Sequence, residues 1–286
     1  MHFPNLAAFL ADAPKQYRRG PLALVMVEDT VEVESTFAHL QRFGFANLVA
    51  FCGPDIVLPE EVANLTRVDF DTAAKDALQS VLNGAIAACP GTWIYYCYNA
   101  EYLHYPFCET RSVGEMLSFM TEERRDSVMG YVLDLYAPDL NSRPDGVDRE
   151  NAHFDKSGYY ALALKDADGE TLDRQLEIAG GLRWRFEDHI PKDRRRTDRV
   201  SFVRAQAGLE MLADKSFNIP EYNTYSCPWH NNLTVAVPSF RTAKALRRNP
   251  GSRDAIASFY WPQSQRFEWS SHQLLDLGMM EPGQWF

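Results

Sequence analysis

The stretch Trp93-Ile94-Tyr95-Tyr96-Cys97-Tyr98-Asn99-Ala100-Glu101-Tyr102-Leu103-His104-Tyr105-Pro106 decides how the chain is read. Its first half, Trp93 to Cys97, is apolar and aromatic without a single charge, the pattern of a strand covered on both faces in the middle of a sheet. After Cys97 the chain turns polar, and Glu101 is its first charge. Open α/β sheets bind ligands beyond the carboxyl ends of their central strands, so an acid just past such a strand is placed for chemistry.

Toward the N-terminus the same grammar repeats. Leu22 to Val27 reads as a strand, and Glu28-Asp29-Thr30 follows it. Val33, Phe37 and Leu40 recur at helical spacing between Thr30 and Phe43, and Gly44 ends the helix. Asn47 to Cys52 is the next uncharged run, which completes a strand-helix-strand unit with parallel pairing and a right-handed crossover. Thr66 to Phe70 predicts a third strand, and Asp71-Thr72 a cap for a helix reaching Ala88 before the Pro90-Gly91 break. Residues 1–20 read as a short helix and a polar linker.

Toward the C-terminus, Ser112 to Arg125 predicts a helix with Met116, Phe119 and Met120 on its apolar stripe, and Ser127 to Tyr136 a strand. The polar stretch from Pro138 to Asn151 is a long loop, a substrate lid or a disordered segment. Arg183 and Arg185 alternate on a strand-like run after Gly180-Gly181, so both would face one side and fork onto phosphate oxygens, or else pair with Glu187, Asp188 or Glu177. Arg199 to Arg204 is a further strand, and the basic run Lys192 to Arg196 is a solvated loop or else a contact for an anion or a membrane surface.

Composition sets the limits. The chain has 286 residues, 45% hydrophobic and 24% charged, enough for one large core over residues 1–286. A formal net charge of -10 argues against nucleic-acid partners, which require a positive field. The five cysteines are scattered without Cys-x-x-Cys spacing, as expected of reduced thiols. No run approaches the ~20 apolar residues of a transmembrane segment. Asp12, Pro14 and Lys15 interrupt the apolar N-terminal segment, so no signal peptide is expected and the expected location is cytoplasmic. No Gly-x-Ser-x-Gly elbow, Rossmann fingerprint or P-loop occurs.

Several motifs together resemble family 2-type glycosyltransferases, where a buried strand led by Trp ends in Asp-x-Asp-Glu-Phe-Leu. Here Glu101, Tyr102 and Leu103 keep that pattern, while Tyr98 and Ala100 stand at the two aspartate positions. Further likenesses follow in order: Leu133-Asp134-Leu135-Tyr136, His153-Phe154-Asp155 with Gly158-Tyr159-Tyr160, Gly180-Gly181 with Arg183 and Arg185, Arg199 to Arg204, and Trp229-His230.

The resemblance implies a GT-A-like α/β fold with a mostly parallel sheet, its nucleotide-binding half over about residues 20–136 and its acceptor side over about 137–286. It implies a nucleotide-sugar donor contacted by Glu28, Asp29, Asp55, Tyr98, Asn99, Arg183 and Arg185, a saccharide or lipid-linked acceptor, and Asp134, Asp155 and Glu101 as catalytic carboxylates. Mn²⁺ or Mg²⁺ would fall to Glu101 and His230, unless cationic side chains replace the metal. The altered Asp-x-Asp motif also admits a catalytically inactive relative that binds a saccharide or a protein.

Overall fold

The computed structural model describes residues 1–17 and 20–285. The linker expected before Gly20 falls partly on residues 18 and 19, outside the described residues. An eight-stranded sheet runs through the centre in the order β1 (His2–Phe3), β4 (Leu65–Asp69), β3 (Asn47–Cys52), β2 (Leu22–Val27), β5 (Trp93–Tyr98), β10 (Asp198–Arg204), β6 (Ser127–Asp134), β11 (Val235–Ser239). Neighbours pair in parallel except β10, which is antiparallel to both β5 and β6. The predicted central strand is therefore β5, with β2 on one side and β10 on the other.

Alternation along the strands splits the core into two layers. Val25, Val27, Tyr95 and Cys97 pack against α2 (Val33–Arg42) and α4 (Val113–Glu122), while Leu24, Met26, Ile94 and Tyr96 pack against α1 (Leu6–Gln16) and α3 (Ala77–Ala88). Helices on both faces leave no solvated side to β2, β3 and β5, which is why those three sequences carry no charge. A capping box between Ser112 and Glu115 starts α4. Asp71 does not cap α3 as expected. Its carboxylate accepts from Ala73 N at 2.9 Å to close a turn, and the helix begins six residues later.

The C-terminal half enters the same sheet through β10 and β11. Its remaining strands form two small antiparallel pairs, β7 (His153–Asp155) with β12 (Ser264–Arg266), and β8 (Tyr160–Lys165) with β9 (Thr171–Ala179). The helices α5 (Gly181–Arg185), α6 (Arg241–Arg248), α7 (Pro250–Arg253) and α8 (Ser271–Asp276) complete it. The run through Arg183 and Arg185 is thus a helical turn rather than a strand, because Gly181 adopts a left-handed backbone (φ 63°) that turns the chain. The polar loop after Pro138 is ordered by Arg247, which donates to Pro144 O at 2.8 Å.

Candidate functional site

The strand order reverses at β2, with β3 and β4 to one side and β5 to the other. Loops leaving β2 and β5 consequently diverge at their carboxyl ends, the switch point at which sheets of this topology have their ligand crevice. Glu28, Asp29, Tyr98, Asn99 and Glu101 all belong to these two loops or strand ends. Buried Asn99 clamps them: its amide donates to Asp29 Oδ1 (2.7 Å) and Val31 O (2.8 Å), and its carbonyl accepts from Glu28 N (2.9 Å).

Ala100 has a left-handed backbone (φ 64°), uncommon for a residue with a Cβ and held by its N–H donating to Thr36 Oγ1 of α2 at 2.9 Å. That turn folds Glu101 back beneath the crevice. Its carboxylate, 2% exposed, accepts from Tyr98 N (3.1 Å) and Ser239 Oγ (3.2 Å) and pairs with Arg199 at 3.0 Å. Burial pushes this carboxyl up, but Arg199 and Arg241 outweigh burial and hold it below the usual range. Expected as a catalytic acid or metal ligand facing a cleft, Glu101 is instead the anionic half of a buried ion pair.

The cations facing the crevice come from α6, which sequence reasoning passed over. Arg241, Lys244 and Arg248 recur at i, i+3 and i+7, so they share one helix face. Arg241 forks onto Glu28 at 2.7 and 2.6 Å, with its guanidinium carbon 3.6 Å from the centre of the Tyr98 ring. Lys244 reaches Asp29 at 3.0 Å, and Arg248 reaches the same carboxylate at 2.6 Å. Burial pushes the Asp29 carboxyl up, but Lys244 and the Val31 and Asn99 donors together bring it below the usual range. The signal was present in the sequence, since Arg241 to Arg248 holds four cations and no acid.

A second cluster gathers the other expected residues. Arg183 pairs with fully buried Asp134 at 3.2 Å and donates to Arg196 O at 2.6 Å. Arg185 pairs with Asp155 at 2.9 Å. Asp155 also accepts from Tyr136 Oη (2.5 Å) and Trp261 Nε1 (2.7 Å), while burial pushes its carboxyl up against these partners. Among the described residues neither arginine pairs with Glu187, Asp188 or Glu177, the alternative expected; each is paired with a buried aspartate instead.

The double glycine makes the cluster possible: a Cβ on Gly180 would come within 2.3 Å of the Tyr159 ring. The two clusters touch through α6, where Arg183 Nε lies 3.3 Å from Thr242 Oγ1, and through Ser239, the register partner of Asp134 and a donor to Glu101.

Two expected residues lie apart. Asp55 sits exposed on the loop after β3, whose backbone carbonyls at Gly53 and Pro54 are held by Arg67. His230 precedes β11 and lies 3.5 Å from Glu123, which precedes β6. It therefore belongs to the amino-terminal edge of the parallel strands, opposite Glu101. The donor set does not fit a divalent cation: Tyr98 and Ala100 offer no carboxylate, Glu101 is consumed by Arg199, and His230 is at the far edge. No helix among the described residues is long and apolar enough to cross a membrane. No family model and no curated protein matches the chain.

Proposed function

We propose that the chain is a GT-A-like, metal-independent glycosyltransferase that binds a nucleotide-sugar donor at the β2–β5 crevice, with Arg241, Lys244 and Arg248 taking the diphosphate. The observation that carries this reading is the convergence of three cations from one helix face on the topological switch point of a sheet in a chain of net charge -10. Diphosphate oxygens would replace the Glu28 and Asp29 carboxylates as partners of α6. The released acids are then free to accept from ribose hydroxyls or a base N–H. Neutralising a leaving diphosphate is the main task of such a site, and fixed guanidinium and ammonium groups perform it electrostatically.

Of the carboxylates, Asp134 is the candidate to take a proton from an acceptor hydroxyl, a role that requires Arg183 to move aside, since the Asp134 side chain is fully buried. Its two contacts to Arg183 are long, 3.2 and 3.3 Å, whereas Asp155 is surrounded by donors.

A second reading, an inactive relative that binds a saccharide or a protein, has its own observation: Glu101, Asp134 and Asp155 are all buried and all paired with arginine. Incubation with a panel of nucleotide sugars and saccharide acceptors in EDTA separates the two. Release of nucleoside diphosphate that falls at least tenfold in Lys244→Met supports the transferase; binding of donor without any release supports the inactive relative; failure to bind any nucleotide or nucleotide sugar sinks both the donor site and the family reading.

A further inference from the structure

β8 and β9 pair outside the main sheet, and their two outer edges differ. The far side of β9 is tied to the body: Ala179 bridges Arg196, Thr197 N donates to Ile178 O at 2.8 Å, and Tyr225 N donates to Arg174 O at 3.1 Å. Among the described residues, the far side of β8 meets no strand, and its backbone hydrogen-bonds to no segment other than β9. Five of the six β8 residues are exposed, with Tyr160 at 48% and Leu162 at 65%. Open edges are ordinarily blunted by charge, proline or a bulge. Tyr160-Ala161-Leu162-Ala163-Leu164 carries no charge and no proline. The pairing slips between Ala163, opposite Leu176, and Lys165, opposite Thr171, so the extra residues belong to β9 and β8 has no bulge of its own. A two-stranded pair is marginal alone and gains from further strands with a common apolar face.

The strand is complementary to itself. Antiparallel pairing with the β8 of a second copy, about a two-fold axis at Leu162, sets Leu162 against Leu162, Tyr160 against Leu164 and Ala161 against Ala163. Side chains alternate along a strand, so one face of the joint gathers Tyr160, Leu162 and Leu164 from each copy and the other face only alanines. Trp184, 39% exposed with its ring 5.3 Å from that of Tyr160, extends the apolar face. Glu177 faces Leu162 from β9, but three inter-strand steps, about 14 Å, separate it from its mate, beyond the Debye length of physiological salt. The same register carries the exposed acids Asp168 and Glu170 at the hairpin tip toward the chain entering β8 of the second copy, where Lys156 is exposed.

We propose that β8 is a dimerisation edge, through which two copies join into a continuous four-stranded sheet in the order β9-β8-β8-β9. The bonds that hold it are the backbone groups left over on β8, and the register is set by large side chains meeting on one face and small ones on the other. A joint of one short strand per copy belongs with interfaces below about 1,200 Å², so the dimer forms in proportion to concentration. The surface uses none of the crevice residues and stands independently of the donor site.

Sedimentation velocity of the intact protein from about 5 to about 200 µM tests it, with a dimer fraction that rises across the range as the expected result. Leu162→Lys sets two like charges against each other at the axis and should raise the dimer dissociation constant at least tenfold. Leu212→Lys, at an exposed leucine outside the hairpin, should leave it unchanged. Leu162→Cys brings two thiols together on Cα atoms about 4.5–5.5 Å apart, within disulfide reach, and should give a covalent dimer under mild oxidation. Lys165→Cys lies about 20 Å from its mate in this register and should not, nor should the parent protein. A monomer at every concentration, a dimer indifferent to Leu162→Lys, or cross-linking of Lys165→Cys as readily as Leu162→Cys would each overturn the proposal.

Discussion

Replacing Glu101 by glutamine separates a structural acid from a catalytic one. The carboxylate is 2% exposed, and its partner Arg199, 3.0 Å away, has a side chain 11% exposed. Arg199 has other contacts, the Tyr96 carbonyl at 3.3 Å and the Tyr96 ring at 4.9 Å, but no second acid at salt-bridge distance among the described residues. Glutamine keeps an acceptor for Tyr98 N or Ser239 Oγ yet leaves the guanidinium charge uncompensated, a situation that costs about 3–5 kcal/mol. With a urea dependence of about 3 kcal/mol per molar, as suits a chain of this size, the unfolding midpoint should fall by roughly 1 M or more. Arg199→Met should cost a similar amount, and Glu101→Gln with Arg199→Met together should cost less than the sum by about 2 kcal/mol, because the second substitution removes the orphaned charge. Urea unfolding followed by circular dichroism reads all three. A Glu101→Gln midpoint within about 0.3 M of the parent would refute the reasoning, since the acid would then have no buried partner to abandon.

Three further outcomes follow from the same geometry. His104 is held neutral, its pKa pushed down by burial to about 4, and His39 is shifted the same way; a folded pKa below the unfolded value means stability present above about pH 6.5 and lost as pH falls toward 4, with up to about 1.4 kcal/mol per pH unit for each histidine. Urea midpoints at pH 7 and pH 5 should differ accordingly, and His104→Gln should flatten the slope. Gly180→Ala should destabilise by about 1–3 kcal/mol, because its Cβ meets the Tyr159 ring at 2.3 Å; an unchanged melting temperature would show that the ring moves aside freely. Lys244→Met should raise the Asp29 pKa toward or above the ordinary carboxylate range, as Lys244 is its largest opposing influence, and the Asp29 carboxyl signal in an NMR pH titration reads that shift directly.

The layered α/β core was legible because strands covered on both faces write themselves as uncharged runs, and β2, β3 and β5 fall where those runs stand. The acids Glu28 and Asp29 at the switch point were legible for the same reason: they are the first charges after such a run. The antiparallel insertion of β10 between β5 and β6 was not, because pairing direction leaves no mark on a single strand. Nor was the fate of Glu101, which depends on Ala100 taking a left-handed turn that no local preference demands. Arg183 and Arg185 were misread as a strand since two alternate residues fit both periods over so short a run, and Gly181 decided in favour of the helix. The cations of α6 were visible but unassigned; only the fold brings residue 241 within 2.7 Å of residue 28.

The central claim, that α6 supplies a diphosphate site without metal, meets its most direct test in calorimetric titration of the intact protein with UDP, GDP, CDP and dTDP in EDTA, repeated with Mn²⁺. Saturable binding of at least one of them in EDTA, no more than marginally tightened by Mn²⁺ and weakened tenfold or more by Arg248→Gln, is the predicted result. Binding that appears only with Mn²⁺, or no binding of any of the four under either condition, would contradict it.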